Sequence, residues 1–242
     1  MACLLVEIGN TAVKACMADG LTLGKTYRYQ GEKRMDFVLS LSENETPQLT
    51  VVCSVTPVAQ YDRERLSARF GKVLVLDSTT SSILSDYGVP ASLPFDRAAS
   101  FIACRYLFSS HRCTVFDFGT TLTIDMIAED GKYLGGGISL GMRTRFKSLN
   151  RYSRNLPVVN APEGEVLPAE GIRSSIETGV VSGIMFEIKG WMEMNPGCTT
   201  VFTGGDAIYF AKRMKNSIFV ICNLVLMGLA IIAGDYVEKS SL

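Results

Sequence analysis

Apolar residues are arranged along the chain in two alternating patterns, short continuous runs and one-sided helical faces. Residues 50–55 form a nearly continuous apolar run, which is typical of a strand buried on both faces of a sheet. An amphipathic segment that opens at Pro57 follows, and residues 72–76 are the next apolar run. Strand and helix patterns alternate in this way, so the sequence predicts an α/β protein.

Three other segments complete the predicted outline. Residues 78–94 lack periodicity and are rich in Ser, Thr, Gly and Pro, so we expect a loop there, and the apolar positions of residues 95–107 predict a helix after it. The most apolar segment, residues 218–233, is shorter than the roughly 20 residues that a membrane-spanning helix needs. We expect a buried strand followed by a packed helix in this segment.

One strand pair carries candidate chemistry. Residues 114–127 are typical of a strand, a tight turn and a second strand, and the turn is Gly119-Thr120-Thr121. Asp117 stands at the end of the first strand. Glycine lets a phosphate approach the backbone, while successive N–H groups and hydroxyls donate to its oxygens. The pattern therefore indicates a phosphate-binding hairpin, although an ordinary strand turn has the same sequence.

The N-terminal residues repeat this layout. Residues 4–16 are an apolar strand, an acid (Glu7), a Gly-Asn-Thr turn and a second strand, about half a chain before Asp117. The duplication resembles the actin/hexokinase/Hsp70-like phosphotransferase fold. This resemblance implies two similar RNase H-like domains, residues 1–110 and 111–242, with an active-site cleft between them.

Composition excludes several other classes of protein. Lys plus Arg and Asp plus Glu both number 24, so the zero net charge argues against a general nucleic-acid or membrane surface. Seven scattered cysteines without a CxxC pair indicate reduced thiols in the cytoplasm and argue against a zinc site. The N-terminal apolar run lacks a preceding basic region and contains Glu7, so we expect no signal peptide. The one histidine, His111, makes His-dependent nucleophilic catalysis improbable.

Three further positions are ambiguous from local sequence. Asp96 opens a helix, where the helix dipole favours a carboxylate, so Asp96 and Arg97 are either site residues or an ordinary cap and a solvated charge. Gly204-Gly205 joins a strand to a helix, which suits either a flat ligand such as a nucleotide base or a simple connection. Residues 135–137 are all glycine, which indicates either close approach by a ligand or another chain, or a flexible turn.

Six segments, taken in order, resemble the motifs of the type III pantothenate kinases. They are Glu7-Ile8-Gly9-Asn10-Thr11, where that family normally has Asp-x-Gly-Asn-Thr, and residues 87–97, 117–121, 135–141, 152–157 and 203–207. The resemblance implies an enzyme, a kinase that uses ATP to convert pantothenate to 4′-phosphopantothenate, the first step of coenzyme A biosynthesis. It also implies a cytoplasmic homodimer whose substrate site lies at the subunit interface.

The resemblance assigns roles to individual residues. Asp96 would be the general base that accepts the proton of the pantothenate hydroxyl, and Asp117 would bind a monovalent cation, K⁺ or NH₄⁺, while Mg²⁺ accompanies ATP. The expected substrate contacts are Tyr87, Pro94, Phe95, Asp96, Arg97 and Ser153. The expected nucleotide contacts are Glu7, Ile8, Gly9, Asn10, Thr11, Lys14, Gly119, Thr120, Thr121, Gly204 and Gly205.

The sequence departs from the family pattern at several positions. Glu7 replaces an Asp, which moves a carboxylate by one methylene, and Pro94 replaces a Gly, which removes a backbone N–H. These changes keep two alternatives open: a degenerate ATP-binding accessory or regulatory protein of the family, and another small-molecule kinase of the superfamily. The retained carboxylates of Asp96 and Asp117 favour the enzyme.

Overall fold

A computed structural model describes residues 2–41, 46–166, 168 and 170–240. Its strands are β1 (Ala2–Ile8), β2 (Val13–Asp19), β3 (Thr22–Leu23), β4 (Tyr27–Tyr29), β5 (Leu49–Ser54), β6 (Val73–Leu76), β7 (Cys113–Phe118), β8 (Thr121–Ile127), β9 (Tyr133–Leu140), β10 (Thr199–Gly204) and β11 (Phe219–Val220). Its α-helices are α1 (Arg34–Ser40), α2 (Gln60–Phe70), α3 (Phe95–Leu107), α4 (Met142–Tyr152), α5 (Ile172–Met194), α6 (Ala207–Ala211) and α7 (Leu224–Ser240).

The chain forms two compact units: unit 1 contains residues 1–109 and 223–242, and unit 2 contains residues 110–222. The predicted boundary at residue 110 falls beside the first of these divisions. The C-terminal segment differs from the prediction, because residues 223–242 belong to unit 1. The physical reason is the packing of α7 on α3, where a Cβ built on Gly228 would lie 2.0 Å from the carbonyl oxygen of Ala99.

Unit 1 is built on a mixed sheet of order β3-β2-β1-β5-β6, with β4 paired to β2. β1 and β2 are antiparallel, whereas β1, β5 and β6 are parallel to one another. One face packs against α1 and α2 through a cluster that includes Val6, Val52, Val38 and Leu66. Because side chains alternate across a strand, Glu7 and its β5 neighbour Cys53 lie on the other face, on which α3 and α7 pack.

Unit 2 is built on a sheet of order β11-β10-β7-β8-β9. β7, β8 and β9 are antiparallel neighbours, and β10 runs parallel to β7 and to β11. Its core is aromatic: the ring of Phe118 lies 4.8 Å from that of Phe202 and 5.0 Å from that of Phe210. α5 adds buried aliphatic residues to this cluster and is a single helix of 23 residues.

Two predicted elements are different in the structure. The predicted loop of residues 78–94 contains a 3₁₀ helix, Ser81–Tyr87, whose Leu84 and Tyr87 are buried. The predicted buried strand near residue 218 is the two-residue strand β11, with Phe219 54% and Val220 37% exposed. β11 lies at the edge of the sheet, which explains its exposure despite an apolar sequence.

The glycines of residues 135–137 lie in β9, so a flexible turn is the wrong alternative. A Cβ built on Gly136 would lie 1.7 Å from the carbonyl oxygen of Ile124 in the neighbouring strand. A Cβ on Gly137 would lie 2.9 Å from the indole of Trp191 in α5. Strand and helix of the same unit therefore account for the close approach at both positions.

Candidate active site

The first candidate phosphate turn connects β1 to β2 in unit 1. The Gly9 N–H donates to the carbonyl of Ala12 across 3.0 Å, which closes the turn. Ile8 is buried opposite Val13, whereas the side chains of Asn10 and Thr11 are exposed. The hairpin thus anchors the turn in the core and leaves its polar side chains accessible.

Glu7 and Lys14 flank this turn as a direct cross-strand pair. The Lys14 Nζ lies 3.2 Å from Glu7 Oε2, with side chains 23% and 15% exposed. Partial burial reduces solvent screening, so this ion pair holds the ammonium group more firmly than a surface pair would. The pair places one positive charge and one carboxylate beside the turn.

Arg34, the first residue of α1, contacts the same turn from the outside. Its Nη1 donates to the Gly9 carbonyl at 2.9 Å and its Nη2 to the Asn10 carbonyl at 2.7 Å. Arg34 was not predicted as a site residue, because it lies outside every motif and resembles any charged first-turn residue. No local sequence signal identifies its partners, since about 25 residues separate it from them.

Asp96 is the second residue of α3, which begins directly after Pro94. Its Oδ1 accepts a hydrogen bond of 2.9 Å from the N–H of Arg97, and the carboxylate is half-buried at the positive end of the helix dipole. Pro94 is compatible with this helix start, because its carbonyl accepts the N–H of Ala98 at 2.9 Å. Phe95 is buried and anchors the first turn.

The carboxylates of Glu7 and Asp96 both influence the pKa of one buried thiol, that of Cys53. Burial raises the pKa of Cys53 well above its ordinary value, and the negative charges of Asp96, Glu7 and Asp77 raise it further. Glu7 and Cys53 are direct neighbours across β1 and β5. With its pKa raised in this way, the Cys53 thiol is disfavoured as a nucleophile.

The second candidate phosphate turn connects β7 to β8 in unit 2. The Gly119 N–H donates to the carbonyl of Thr121 at 3.0 Å. The carbonyl of Thr120 accepts two hydrogen bonds, from the Gly141 N–H at 3.1 Å and from the Thr144 hydroxyl at 2.6 Å. The N-terminus of α4 is therefore fixed beside this turn.

β10 brings Gly204 and Gly205 to the same place. Thr203 is the β10 neighbour of Asp117, and a Cβ built on Gly204 would lie 2.3 Å from Asp117 Oδ1. Gly204 has φ of +90°, which side-chain-bearing residues rarely adopt. Asp117, the turn of residues 119–121 and the glycine pair thus lie next to one another in unit 2.

Two predicted substrate residues have other contacts. The Tyr87 hydroxyl is hydrogen-bonded to Asp235 in α7, and burial, followed by this bond, raises the pKa of Tyr87. The Tyr87 carbonyl accepts a hydrogen bond from the Arg105 guanidinium group. Arg105 follows Asp96 in α3 by about 13 Å along the helix axis, at about 1.5 Å per residue. Ser153 caps the C-terminus of α4, where it is exposed and lines a groove of about 990 Å³ between α4 and α5.

The described residues contain neither a side-chain metal site nor a membrane-spanning helix. Within residues 2–41, 46–166, 168 and 170–240, no three His, Cys, Asp or Glu side chains are grouped so as to hold a metal ion. No helix in that part of the chain is both long and apolar enough to cross a membrane.

Solved structures with a similar fold define the class. A Baf family transcriptional activator from Campylobacter jejuni superimposes with a TM-score of 0.65, at 22% identity over 97% of this chain and 99% of that one. The activator of 2-hydroxyisocaproyl-CoA dehydratase from Clostridium difficile gives 0.58 at 14% identity over 100% and 97%. An archaeal actin homologue gives 0.53 at 10% identity over 97% and 100%. The predicted actin-like fold is confirmed.

Sequence comparison defines the family within this class. The type III pantothenate kinase model matches residues 3–194. The type III pantothenate kinase of Cytophaga hutchinsonii is 34% identical over 93% of this chain and 96% of its own length, and that of Flavobacterium psychrophilum is 30% identical over 93% and 96%. The chain therefore belongs to the type III pantothenate kinase family, as its motifs predict.

Proposed function

We propose that the protein transfers the γ-phosphoryl group of ATP to the primary hydroxyl of pantothenate, the first step of coenzyme A biosynthesis. The observation that carries the proposal is the Asp96 carboxylate, fixed at the start of α3 by the Arg97 N–H, in a chain of this family. The reaction consumes cytoplasmic ATP, so we expect the protein in the cytoplasm.

Asp96 acts as the general base in this proposal. Its carboxylate accepts a hydrogen bond from the pantothenate hydroxyl, orients the oxygen towards the γ-phosphorus and takes the proton as the P–O bond forms. The N-terminal end of α3 is a position at which the helix dipole favours a carboxylate. Arg97, next to it, supplies a positive charge for the substrate carboxylate or for the phosphoryl oxygens.

The two glycine turns bind the nucleotide. In unit 1 the N–H groups and side chains of Asn10 and Thr11 donate to phosphate oxygens, with Lys14 beside them. Gly9, whose own N–H closes the turn, lets the phosphate approach the backbone, and Glu7 and Ile8 shape the strand end. In unit 2 the corresponding donors are the N–H groups and hydroxyls of Thr120 and Thr121, beside Gly119, whose own N–H closes that turn. The adenosine lies against Gly204 and Gly205, where no Cβ blocks the backbone.

Asp117 provides the site for a monovalent cation. Its carboxylate, the carbonyls of the adjacent turn and the threonine hydroxyls are oxygen ligands, which K⁺ and Mg²⁺ prefer. These cations supply positive charge to the phosphate oxygens while phosphoryl transfer takes place.

Unit 2 supports the proposal of a homodimer. Tyr152 is 83% and Ile172 58% exposed, and both line the groove between α4 and α5 together with Leu140, Leu149 and Ser153. A second copy of the chain would cover these apolar side chains and complete the pantothenate site at Ser153. Sedimentation velocity should give a dimer, and Ile172→Asp should give a monomer; a monomeric wild-type protein would contradict this proposal.

The reaction is tested by ADP release from ATP and Mg²⁺ with and without pantothenate, in K⁺ and in Na⁺ buffer. We expect release that requires pantothenate and is faster in K⁺, with 4′-phosphopantothenate as the product by mass spectrometry. ATP binding without turnover would contradict the enzyme and favour an accessory role, and turnover with another alcohol alone would favour a different kinase.

A further inference from the structure

Arg34 holds the first phosphate turn in a way that none of the family motifs predicts. The two ends of its guanidinium group donate to consecutive carbonyls, those of Gly9 and Asn10, at 2.9 and 2.7 Å. A planar fork that satisfies two neighbouring acceptors fixes the orientation of both peptide groups.

The hydrogen bonds from Arg34 also fix the direction of the neighbouring N–H groups, because of the geometry of the peptide bond. No peptide bond in the described chain is cis, so each carbonyl points opposite to the N–H of the following residue. When the Gly9 and Asn10 carbonyls face Arg34, the N–H groups of Asn10 and Thr11 therefore point away from it. Two successive N–H groups pointing to one side form an anion-binding concavity.

The same hydrogen bonds strengthen those donors. A cationic guanidinium on the carbonyl oxygen polarises the peptide group and makes its N–H a better hydrogen-bond donor. Arg34 stands behind the turn, on the side opposite to these N–H groups, so its effect on a bound phosphate passes through the backbone.

We propose that Arg34 is a positioning residue that orients the Asn10 and Thr11 N–H groups towards the phosphates of ATP. The inference rests on the proposed function only in taking ATP as the ligand. A carbonyl of the second turn is also held by hydrogen bonds, since that of Thr120 accepts from the Gly141 N–H and the Thr144 hydroxyl.

Nucleotide binding by Arg34→Met tests the inference. We expect ATP and ADP to bind about tenfold more weakly, the loss typical of a hydrogen bond to a charged group, with adenosine affinity unchanged. The matched control is Arg69→Met, since Arg69 also donates to a backbone carbonyl of α1, that of Leu39 at 3.3 Å, but not to the turn. This control should bind ATP like the wild type.

Two further measurements separate positioning from folding and from charge. Arg34→Lys keeps the positive charge but not the planar fork of the guanidinium group. Its ATP affinity should therefore be closer to that of Arg34→Met than to that of the wild type. The amide signals of Asn10 and Thr11 in NMR spectra should move on ADP binding in the wild type and much less in Arg34→Met. In turnover, KM for ATP should rise while kcat changes little.

Several results would overturn the inference: equal ATP affinity of Arg34→Met and wild type, equal losses for ATP and adenosine, or full affinity in Arg34→Lys. A wild-type protein that binds ATP but does not phosphorylate pantothenate contradicts the proposed function alone, and the affinities of the variants still decide the role of Arg34. A wild-type protein that does not bind ATP contradicts both.

Discussion

Lys14 Nζ lies 3.2 Å from Glu7 Oε2, between residues that face each other directly across β1 and β2. The family pattern has an Asp at position 7, one methylene shorter. The Glu7 carboxylate reaches the ammonium group on the neighbouring strand, so Glu7 and Lys14 form an ion pair beside the candidate phosphate turn. We infer that Glu7 sets the position of Lys14.

This coupling predicts non-additive effects of substitutions at the two positions. Lys14→Met and Glu7→Gln should each raise KM for ATP several-fold, and the double variant should be little worse than Lys14→Met. Contacting residues typically show coupling energies of about 0.5–3 kcal/mol. A double-mutant cycle on KM measures this, and strictly additive effects would show that Glu7 acts independently of Lys14.

Gly204 and Gly205 should differ in what a methyl group does to them. Gly204→Ala places a Cβ 2.3 Å from Asp117 Oδ1 at φ of +90°, so it should destabilise unit 2 and abolish turnover. The nearest atom to a Cβ on Gly205 is 3.9 Å away, so Gly205→Ala should fold normally and raise KM for ATP if adenosine lies there. Thermal unfolding and KM are the measurements. A wild-type KM for ATP in Gly205→Ala would contradict the proposal that adenosine binds at this surface.

The close contact of Gly228 with Ala99 leads us to expect that a substitution at Gly228 changes the stability of unit 1. Gly228→Ala should lower the free energy of unfolding by about 1–3 kcal/mol, because the added methyl group overlaps the Ala99 carbonyl. Gly234→Ala on the same helix is the control. No atom lies within 4 Å of its added Cβ, and Ala favours helix, so this change should stabilise the protein by about 0.5–1 kcal/mol. Urea unfolding measures both, and equal effects would contradict the packing of α7 on α3.

The ionisation of Asp77 should make the stability of the protein depend on pH. Burial opposes its ionisation but is outweighed by hydrogen bonds from Thr79 and Val58 and by Arg63, so the pKa of Asp77 is below its ordinary value. Its contribution to the free energy of unfolding is therefore fully present above about pH 4, the ordinary Asp pKa. That contribution is lost as pH falls through the lower pKa of the folded state. Asp77→Asn should cost about 2 kcal/mol at pH 7 and progressively less below pH 4.

Unfolding of Asp77→Asn between pH 2 and 7 measures this effect. The exposed Asp36, which pairs with Arg65 at 2.6 Å, gives the control Asp36→Asn, with an expected change below about 1 kcal/mol. A constant difference between Asp77→Asn and the wild type across that pH range would contradict the assignment.

The sequence predicts those parts of the site that depend on local patterns. Hydrophobic periodicity predicts both hairpins and the helix that carries Asp96, since period and turn chemistry are properties of neighbouring residues. The motifs mark Gly204 and Asp117 separately, but the contact between them was not predicted, because it arises from the parallel pairing of β10 with β7.

Contacts between distant segments could not be predicted in the same way. The hydrogen bonds from Arg34 to Gly9 and Asn10 join separate elements, and no periodicity encodes them. The pairing of Tyr87 with Asp235 depends on residues 223–242 joining unit 1, which the duplicated pattern does not reveal. Exposure of Phe219 follows from the edge position of β11, a property of the sheet order rather than of its own sequence.

The most direct test of the account is pantothenate-dependent ADP release by Asp96→Asn, with Asp130→Asn as the control because Asp130 is an exposed turn residue. Loss of the general base should lower kcat at least about 100-fold, with ATP affinity retained, while Asp130→Asn keeps wild-type turnover. Full pantothenate-dependent turnover by Asp96→Asn would contradict the central claim that Asp96 is the base of a pantothenate kinase.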